Sequence, residues 1–172
     1  MSTLTIQRTV SFPASVAWDV VSDHELYGEL APNLASVEVL EGKEGEGLRR
    51  RCVQPDGKAW TETTTHWEEG TSFGVAVHVA DSPVHRRLFS RMEGNWGVDD
   101  VPDGSRVWMR FSYDTRWGPL GRLVSAYFQR WGPPLLETIL DGWEDEMAAR
   151  LEARDGPGAA DDRASRPNRV YR

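Results

Sequence analysis

The sequence predicts an α+β domain in which a curved antiparallel sheet closes around one long C-terminal helix. Three features carry that expectation. A short strand and two short helices come first, closely spaced strands follow, and a single amphipathic helix spans residues 120–152. A lone helix cannot hide its own apolar stripe, and a strand series with one apolar face needs cover, so each suits the other. A sheet wrapped on one helix tends to leave a space between them. A buried ligand site is therefore the leading functional expectation.

Leu4, Ile6, Val10 and Phe12 alternate with polar residues, which reads as a strand with one apolar face. Arg8 interrupts that face, so it belongs at a sheet edge or reaches into a pocket. Phe12-Pro13 ends the strand and suits a first helical turn. Val16, Trp18, Val20 and Val21 mark a short helix, and residues 24–30 a second, closed by Ala31-Pro32-Asn33. Strands are predicted at 36–41, 48–53, 58–68, 72–80, 91–99 and 106–116, separated by turns rich in Gly, Pro and Asp. Residues 84–89 read equally as a loop or a helical turn. The last helix carries apolar residues from Leu120, Leu123, Val124, Tyr127, Phe128 and Trp131 through Leu151, and Pro133-Pro134 is expected to kink or split it. One domain covers residues 1–154. Residues 155–172, nearly free of apolar side chains, read as a disordered tail.

Composition narrows the function. The chain has 172 residues, eight tryptophans and a formal net charge of −7, which argues against broad nucleic-acid or anionic-membrane binding. Arg49-Arg50-Arg51 reads as a solvated strand end in preference to a phosphate site. The single cysteine, Cys52, allows no intrachain disulfide and reads as a packing residue. No apolar run could span a membrane and no signal peptide is evident, so a cytoplasmic protein is expected. The four histidines lack metal-ligand spacing, and neither a phosphate loop nor a nucleophile elbow occurs. The acidic run Asp141, Glu144, Asp145, Glu146 reads as a solvated helix face.

The residues 12–23 (FPASVAWDVVSD), Tyr27, Leu30, Pro32, residues 37–40 (VEVL), residues 91–96 (RMEGNW), residues 111–114 (FSYD) and residues 118–121 (GPLG) carry a family likeness. In order and local signals the chain resembles the polyketide cyclase/dehydrase branch of the START/Bet v 1-like (SRPBCC) superfamily, over about residues 3–152. That resemblance implies a helix-grip fold: seven antiparallel strands around the C-terminal helix, with the two short helices closing one end. The aromatase/cyclases of this branch look similar around Gly57-Lys58-Ala59-Trp60. The arginine and tyrosine with which they contact a poly-ketone chain correspond here to His66 and Leu34.

The strand at 58–68 is the expected seat of chemistry. Trp60, Glu62, Thr64 and His66 share one face, while Thr61, Thr63, Thr65 and Trp67 share the other. The family comparison turns the first set inward; the opposite reading makes Glu62 and His66 surface residues and Trp67 a core residue, and one bulge would exchange the two. Glu62 and His66 would stand about 13 Å apart along a regular strand, too far for a hydrogen-bonded dyad. His66 is the candidate acid/base, Glu62 a second acid/base or an orienting group, and Tyr113 a hydrogen-bond donor to a developing enolate. Trp60, Thr64, Trp96, Met109 and Phe111, with Tyr27, Tyr127 and Trp131, are the expected substrate-binding surface.

The expected function is a small-molecule cyclase or dehydratase of secondary metabolism, acting on a polyketide-like or poly-carbonyl intermediate in a hydrophobic cavity, without metal or other cofactor. The alternative is a non-catalytic carrier or sensor of a hydrophobic small molecule such as a lipid, quinone or polyketide. A third reading is an interaction protein whose cavity its own tryptophans fill. The expected partner is a hydrophobic ligand, with no nucleic acid, no stable membrane insertion, and a monomeric or homodimeric state.

Overall fold

The computed structural model describes residues 1–42 and 44–155, so the expected tail beyond residue 155 lies outside the described residues. The elements follow the expected order: β1 (Ser2–Val10), α1 (Ala14–Val21), α2 (His24–Leu30), β2 (Ser36–Glu41), β3 (Arg49–Val53), β4 (Ala59–Glu68), β5 (Ser72–Val77), β6 (Phe89–Val101), β7 (Gly104–Thr115) and α3 (Gly121–Asp155). All seven strands form one antiparallel sheet in the order β1-β7-β6-β5-β4-β3-β2. This is the helix-grip arrangement. Its two edge strands are the ones that α1 and α2 connect, so the short helices bridge the gap between the sheet's far edges.

Local chemistry explains the joins. Asp23 caps α2 by accepting the Leu26 N–H at 3.0 Å. Helix α2 then lies so close to β2 that a Cβ at Gly28 would stand 2.6 Å from the Val37 amide nitrogen. The turn before β7 holds Asp103 in the left-handed region, as the Asp-Gly hairpin signal suggests. The Trp18 indole N–H donates to Glu69 at 2.9 Å, tying α1 to the β4–β5 turn.

The inner face of the sheet packs against the second half of α3. Leu136, Ile139, Leu140, Trp143 and Met147 recur at helical spacing, and none is more than 4% exposed. Arg8, expected at an edge or in a pocket, lies on the edge strand β1 and reaches across to Glu137, Asp141 and Glu144 on α3. The acidic face of the helix is thus partly a docking rail for β1. Arg150 pairs with Asp23 and Glu146, which pins α3 to the α1–α2 junction.

Helix α3 rules out one of the two expected effects of its prolines and departs from the expected apolar stripe. It runs from Gly121 to Asp155 as one helix, with Pro133 and Pro134 inside it, so the prolines do not split it. Each proline removes one backbone donor, and packing on both sides of the pair holds the remaining turns. The apolar stripe of its first half also divides. Val124, Phe128 and Leu135 turn toward the protein, whereas Leu120, Leu123, Tyr127 and Trp131 are 60–69% exposed. Together those residues cover too wide an arc of the helix for one sheet contact to bury.

Trp96 on β6 stacks on Phe73 of β5, with centroids 5.1 Å apart and planes 9° apart. Its ring lies across Gly94, where a Cβ would overlap the indole Cη2 and Cζ3 atoms. Gly94→Ala should therefore displace the ring and destabilise the fold by about 1–3 kcal/mol. Chemical denaturation checks the loss, and near-UV circular dichroism should register the moved tryptophan.

Candidate active site: a buried arginine and a loop histidine

Between the sheet and α3 lies a cavity of about 170 Å³, with a mostly apolar wall. Leu34, Val75, Val77, Met92, Trp96, Phe111, Phe128 and Leu135 supply much of that wall. The polar groups on it are few: Tyr27 from α2, Arg50 from β3, Glu62 from β4, His85 from the loop before β6, and Asn33 and Gln54.

Arg50 was expected at a solvated strand end and is instead 1% exposed. Alternation along β3 turns Arg49 and Arg51 outward and Arg50 and Cys52 inward. Register then places Glu62 directly opposite Arg50 on β4. The Arg50 Nε–H donates to Glu62 Oε2 at 2.8 Å, Nη2 forms an ion pair with the same oxygen at 2.7 Å, and the Trp60 indole N–H donates to Glu62 Oε1 at 2.8 Å. Both carboxylate oxygens are thereby engaged. Burial alone would push Glu62 up, but the Arg50 charge and these hydrogen bonds hold it below the ordinary carboxylate range. Glu62 is thereby committed to Arg50 and Trp60 through both of its oxygens.

The third partner of Arg50 is His24, at the start of α2, with Nη1 and Nδ1 2.7 Å apart. A guanidinium can only donate, so Nδ1 accepts and the hydrogen of the neutral ring sits on Nε2. Burial first, and the Arg50 charge second, push His24 down to about 3. Arg50 also lies over the rings of Trp96 and Tyr27, at 5.3 and 5.8 Å from their centroids. Three of its five N–H groups are used by protein acceptors, which leaves two for a ligand oxygen. The Tyr27 hydroxyl has no protein partner among the described residues, and burial pushes it well above the ordinary phenol value. It is a neutral donor beside the guanidinium. Cys52 is buried with its thiol pushed up by desolvation, the packing residue the sequence suggests.

His85 lies on the loop that the sequence left ambiguous, which forms hydrogen-bonded turns. Ser82 positions it: its Oγ accepts the His85 backbone N–H at 3.1 Å and lies 2.8 Å from Nδ1. The imidazole stands edge-on to Trp60, with centroids 4.8 Å apart. Burial lowers its pKa, against an opposing pull from Glu62, so the ring is neutral near pH 7. A serine hydroxyl serves either tautomer, accepting from Nδ1–H or donating to bare Nδ1. Nε2, which has no protein partner among the described residues, can therefore carry or lack the proton.

The structure separates the expected site residues. Trp60, Glu62, Trp96, Phe111 and Tyr27 are on the cavity wall. Thr64 and Met109 are buried but are not part of it. His66 is a correction: register shifts between Thr64 and His66, and this bulge turns His66 to solvent, where Nε2 contacts Ser72 Oγ at 3.1 Å. The same slip lets Trp67 pack against the core. Tyr113 is wholly buried in a second cluster with Val79, Phe89 and Met92, and its hydroxyl is engaged by Ser125 and Gln129. It has no approach to the cavity. Tyr127 and Trp131 lie on the outer side of α3, away from any ligand in the cavity. Among the described residues, no group of three or more His, Cys, Asp or Glu side chains is placed to hold a metal ion.

Comparison with known proteins adds a family to this geometry. A family model described as polyketide cyclase / dehydrase and lipid transport matches residues 1–153. The chain belongs to this family. A Streptomyces cyaneus protein named "putative polyketide cyclase" is 30% identical over 101 residues, or 58% of this chain. The match spans 64% of that protein, just under two thirds of its length. Among solved structures, the Zhui aromatase/cyclase from Streptomyces sp. R1128 superposes with a TM-score of 0.62 at 17% identity, covering 91% of this chain and 97% of that one. A START superfamily protein from Mycobacterium smegmatis gives 0.64 at 13% identity, over 86% and 97% of the two chains. These likenesses establish a START/Bet v 1-like fold for this member of the polyketide cyclase / dehydrase family.

The buried histidines give the protein a defined pH dependence. In the unfolded chain His24 takes up a proton near pH 6.5, whereas in the native state it does so only at about 3. The unfolded state binds more protons throughout that window, so stability should fall as the pH drops from about 6.5 toward 3. His24→Asn retains an acceptor for Arg50 and removes the titration. Chemical denaturation at a series of pH values should show a shallower loss above about pH 4.5 for the variant, because Glu62 adds its own loss below that value.

Proposed function

We propose that this protein is a cyclase or dehydratase that acts on a poly-carbonyl, polyketide-like intermediate, with His85 as proton carrier and Arg50 as the cation that polarises a carbonyl. The observation that carries this reading is a desolvated guanidinium and a neutral, oriented imidazole on one otherwise apolar wall. Burying ions costs several kcal/mol each, and an apolar replacement is often no less stable. A mere container for a greasy ligand has no use for them. The family model and the relatives' names support the same direction.

The chemistry follows from the positions. A carbonyl oxygen accepts from the two spare Arg50 N–H groups and from the Tyr27 hydroxyl, which makes the neighbouring C–H acidic. Bare Nε2 of His85 takes that proton, and Ser82 holds the hydrogen on Nδ1. The enolate carbon attacks a second carbonyl of the same chain, forming the ring bond, and the resulting alkoxide recovers the proton from the imidazolium. Loss of water then uses the same ring twice: Nε2 removes the next C–H proton and delivers it to the departing hydroxyl. The cavity supplies confinement, which brings the reacting carbons into an attacking geometry. Its volume is close to that of an engineered cavity of about 150 Å³ that holds one benzene molecule. One ring is therefore made inside at a time, with the rest of the chain outside. The arginine that the aromatase/cyclase comparison placed at His66 has a functional counterpart in Arg50, one strand away.

The second reading, a carrier of a hydrophobic small molecule, is favoured by the apolar majority of the wall and the lipid-transport part of the family description. One experiment separates the two. A poly-β-carbonyl thioester is incubated with the protein, and cyclised product is followed by mass while affinity is measured separately. His85→Ala should lower kcat by about 10²–10⁴-fold and leave Kd within about threefold. A wild-type protein that binds the thioester without converting it would overturn the enzyme reading in favour of the carrier.

A further inference from the structure

The exposed half of the α3 stripe does not belong to the cavity. Trp117, Leu120, Leu123, Tyr127 and Trp131 are 58–69% exposed; Leu120 ends the 3-10 turn just before α3, and the last three recur at four-residue spacing along one side of the helix. Trp117 is held in the left-handed region, φ 71° and ψ 23°, which is unusual for a bulky side chain. Leu88 extends the patch, because the Arg116 backbone N–H donates to the Leu88 carbonyl at 2.8 Å.

Charge around this ridge runs against the net charge of the chain. Residues 82–92 and 115–136 contain six arginines and no carboxylate, in a protein whose formal charge is −7. Arg91 is paired with Glu93. Arg86, Arg87, Arg116, Arg122 and Arg130 are exposed and have no ion-pair partner among the described residues. Arg130 lies over the Trp131 ring at 5.3 Å. The net charge of the whole chain conceals these locally basic segments.

We propose that this ridge docks the protein on the surface of an anionic lipid bilayer. The patch is a convex ridge with side chains projecting from a helix, so a protein partner would need a matching groove, whereas a fluid bilayer needs none. Tryptophan and tyrosine suit the headgroup level, leucines the acyl boundary just beneath, and arginines the phosphates around them. A symmetric pair of copies would bring one arginine rim against the other. The same helical turns that carry the ridge present Phe128, Gly132 and Leu135 to the cavity. Docking would therefore bring the cavity wall to the membrane surface, where an apolar ligand is most concentrated. This holds whether the cavity cyclises its ligand or carries it.

The test is co-sedimentation of the full chain with vesicles of phosphatidylcholine alone and of a three-to-one mixture with phosphatidylglycerol. Binding to the anionic vesicles should be at least about tenfold tighter and should weaken with added salt. Leu123→Ser/Trp131→Ser and Arg122→Glu/Arg130→Glu should each lower that affinity by about tenfold or more with unchanged melting temperature, because all four residues are exposed. No preference of the wild type for anionic vesicles, or binding that both double variants leave intact, overturns the proposal. A concentration-dependent dimer that Leu123→Ser/Trp131→Ser abolishes, without vesicle binding, would overturn it in favour of a self-association surface.

Discussion

The charge of Arg50 is the constraint around which the site is built. A guanidinium removed from water demands acceptors and polarisable neighbours, and here they come from different parts of the chain: Glu62 from β4, His24 from α2, and the rings of Tyr27 and Trp96 from α2 and β6. Satisfying one side chain thus fixes the register of β3 on β4 and the seat of α2 against the sheet. Removing one partner would leave a buried ion uncompensated, a loss of roughly 3–5 kcal/mol. The fold tolerates that exposure to damage at the wall of a cavity, where a ligand carbonyl can use the two donors left over.

The two polar centres of the cavity differ in kind. Arg50 and Glu62 are rigid, on paired strands, with every carboxylate oxygen occupied. His85 is held by a loop through a single serine and keeps one nitrogen without a protein partner among the described residues. Fixed charge for the oxygen and an exchangeable proton for the carbon are what enolisation requires, and each suits the element that carries it. Helix α3 shows a similar division. Its second half is a core helix, and its first half separates a cavity wall from an apolar ridge ringed by arginine.

Much of the architecture was legible because it depends on order and periodicity. Seven strands, two short helices and a long closing helix follow from runs of alternation and from Gly, Pro and Asp turns. Arg50 was legible in principle: Leu48, Arg50 and Cys52 alternate, so the middle residue shares the buried phase of its neighbours. Reading three arginines as one charged block hid that phase. The bulge at Thr64–His66 was not legible, because it is a shift in the pairing of β4 with β5 that local alternation does not report. His85 sits in a loop, where no period assigns a direction. The available signal was Ser82-Pro83, a capping serine followed by a proline, with the serine three residues before the histidine that it positions. Tyr113 had the right phase but the wrong depth, since alternation reports which face a residue takes and not what fills the space above it.

The most direct measurement is of enolisation itself, with a one-ring ketone small enough for the cavity. Cyclohexanone in deuterated buffer at neutral pH, followed by proton NMR, reports exchange at the carbon next to the carbonyl. If Arg50 polarises and His85 removes the proton, wild-type protein should speed exchange by about tenfold or more over buffer, and His85→Ala should return it to the buffer rate. A ketone that binds in the cavity and exchanges no faster than in buffer would contradict the account.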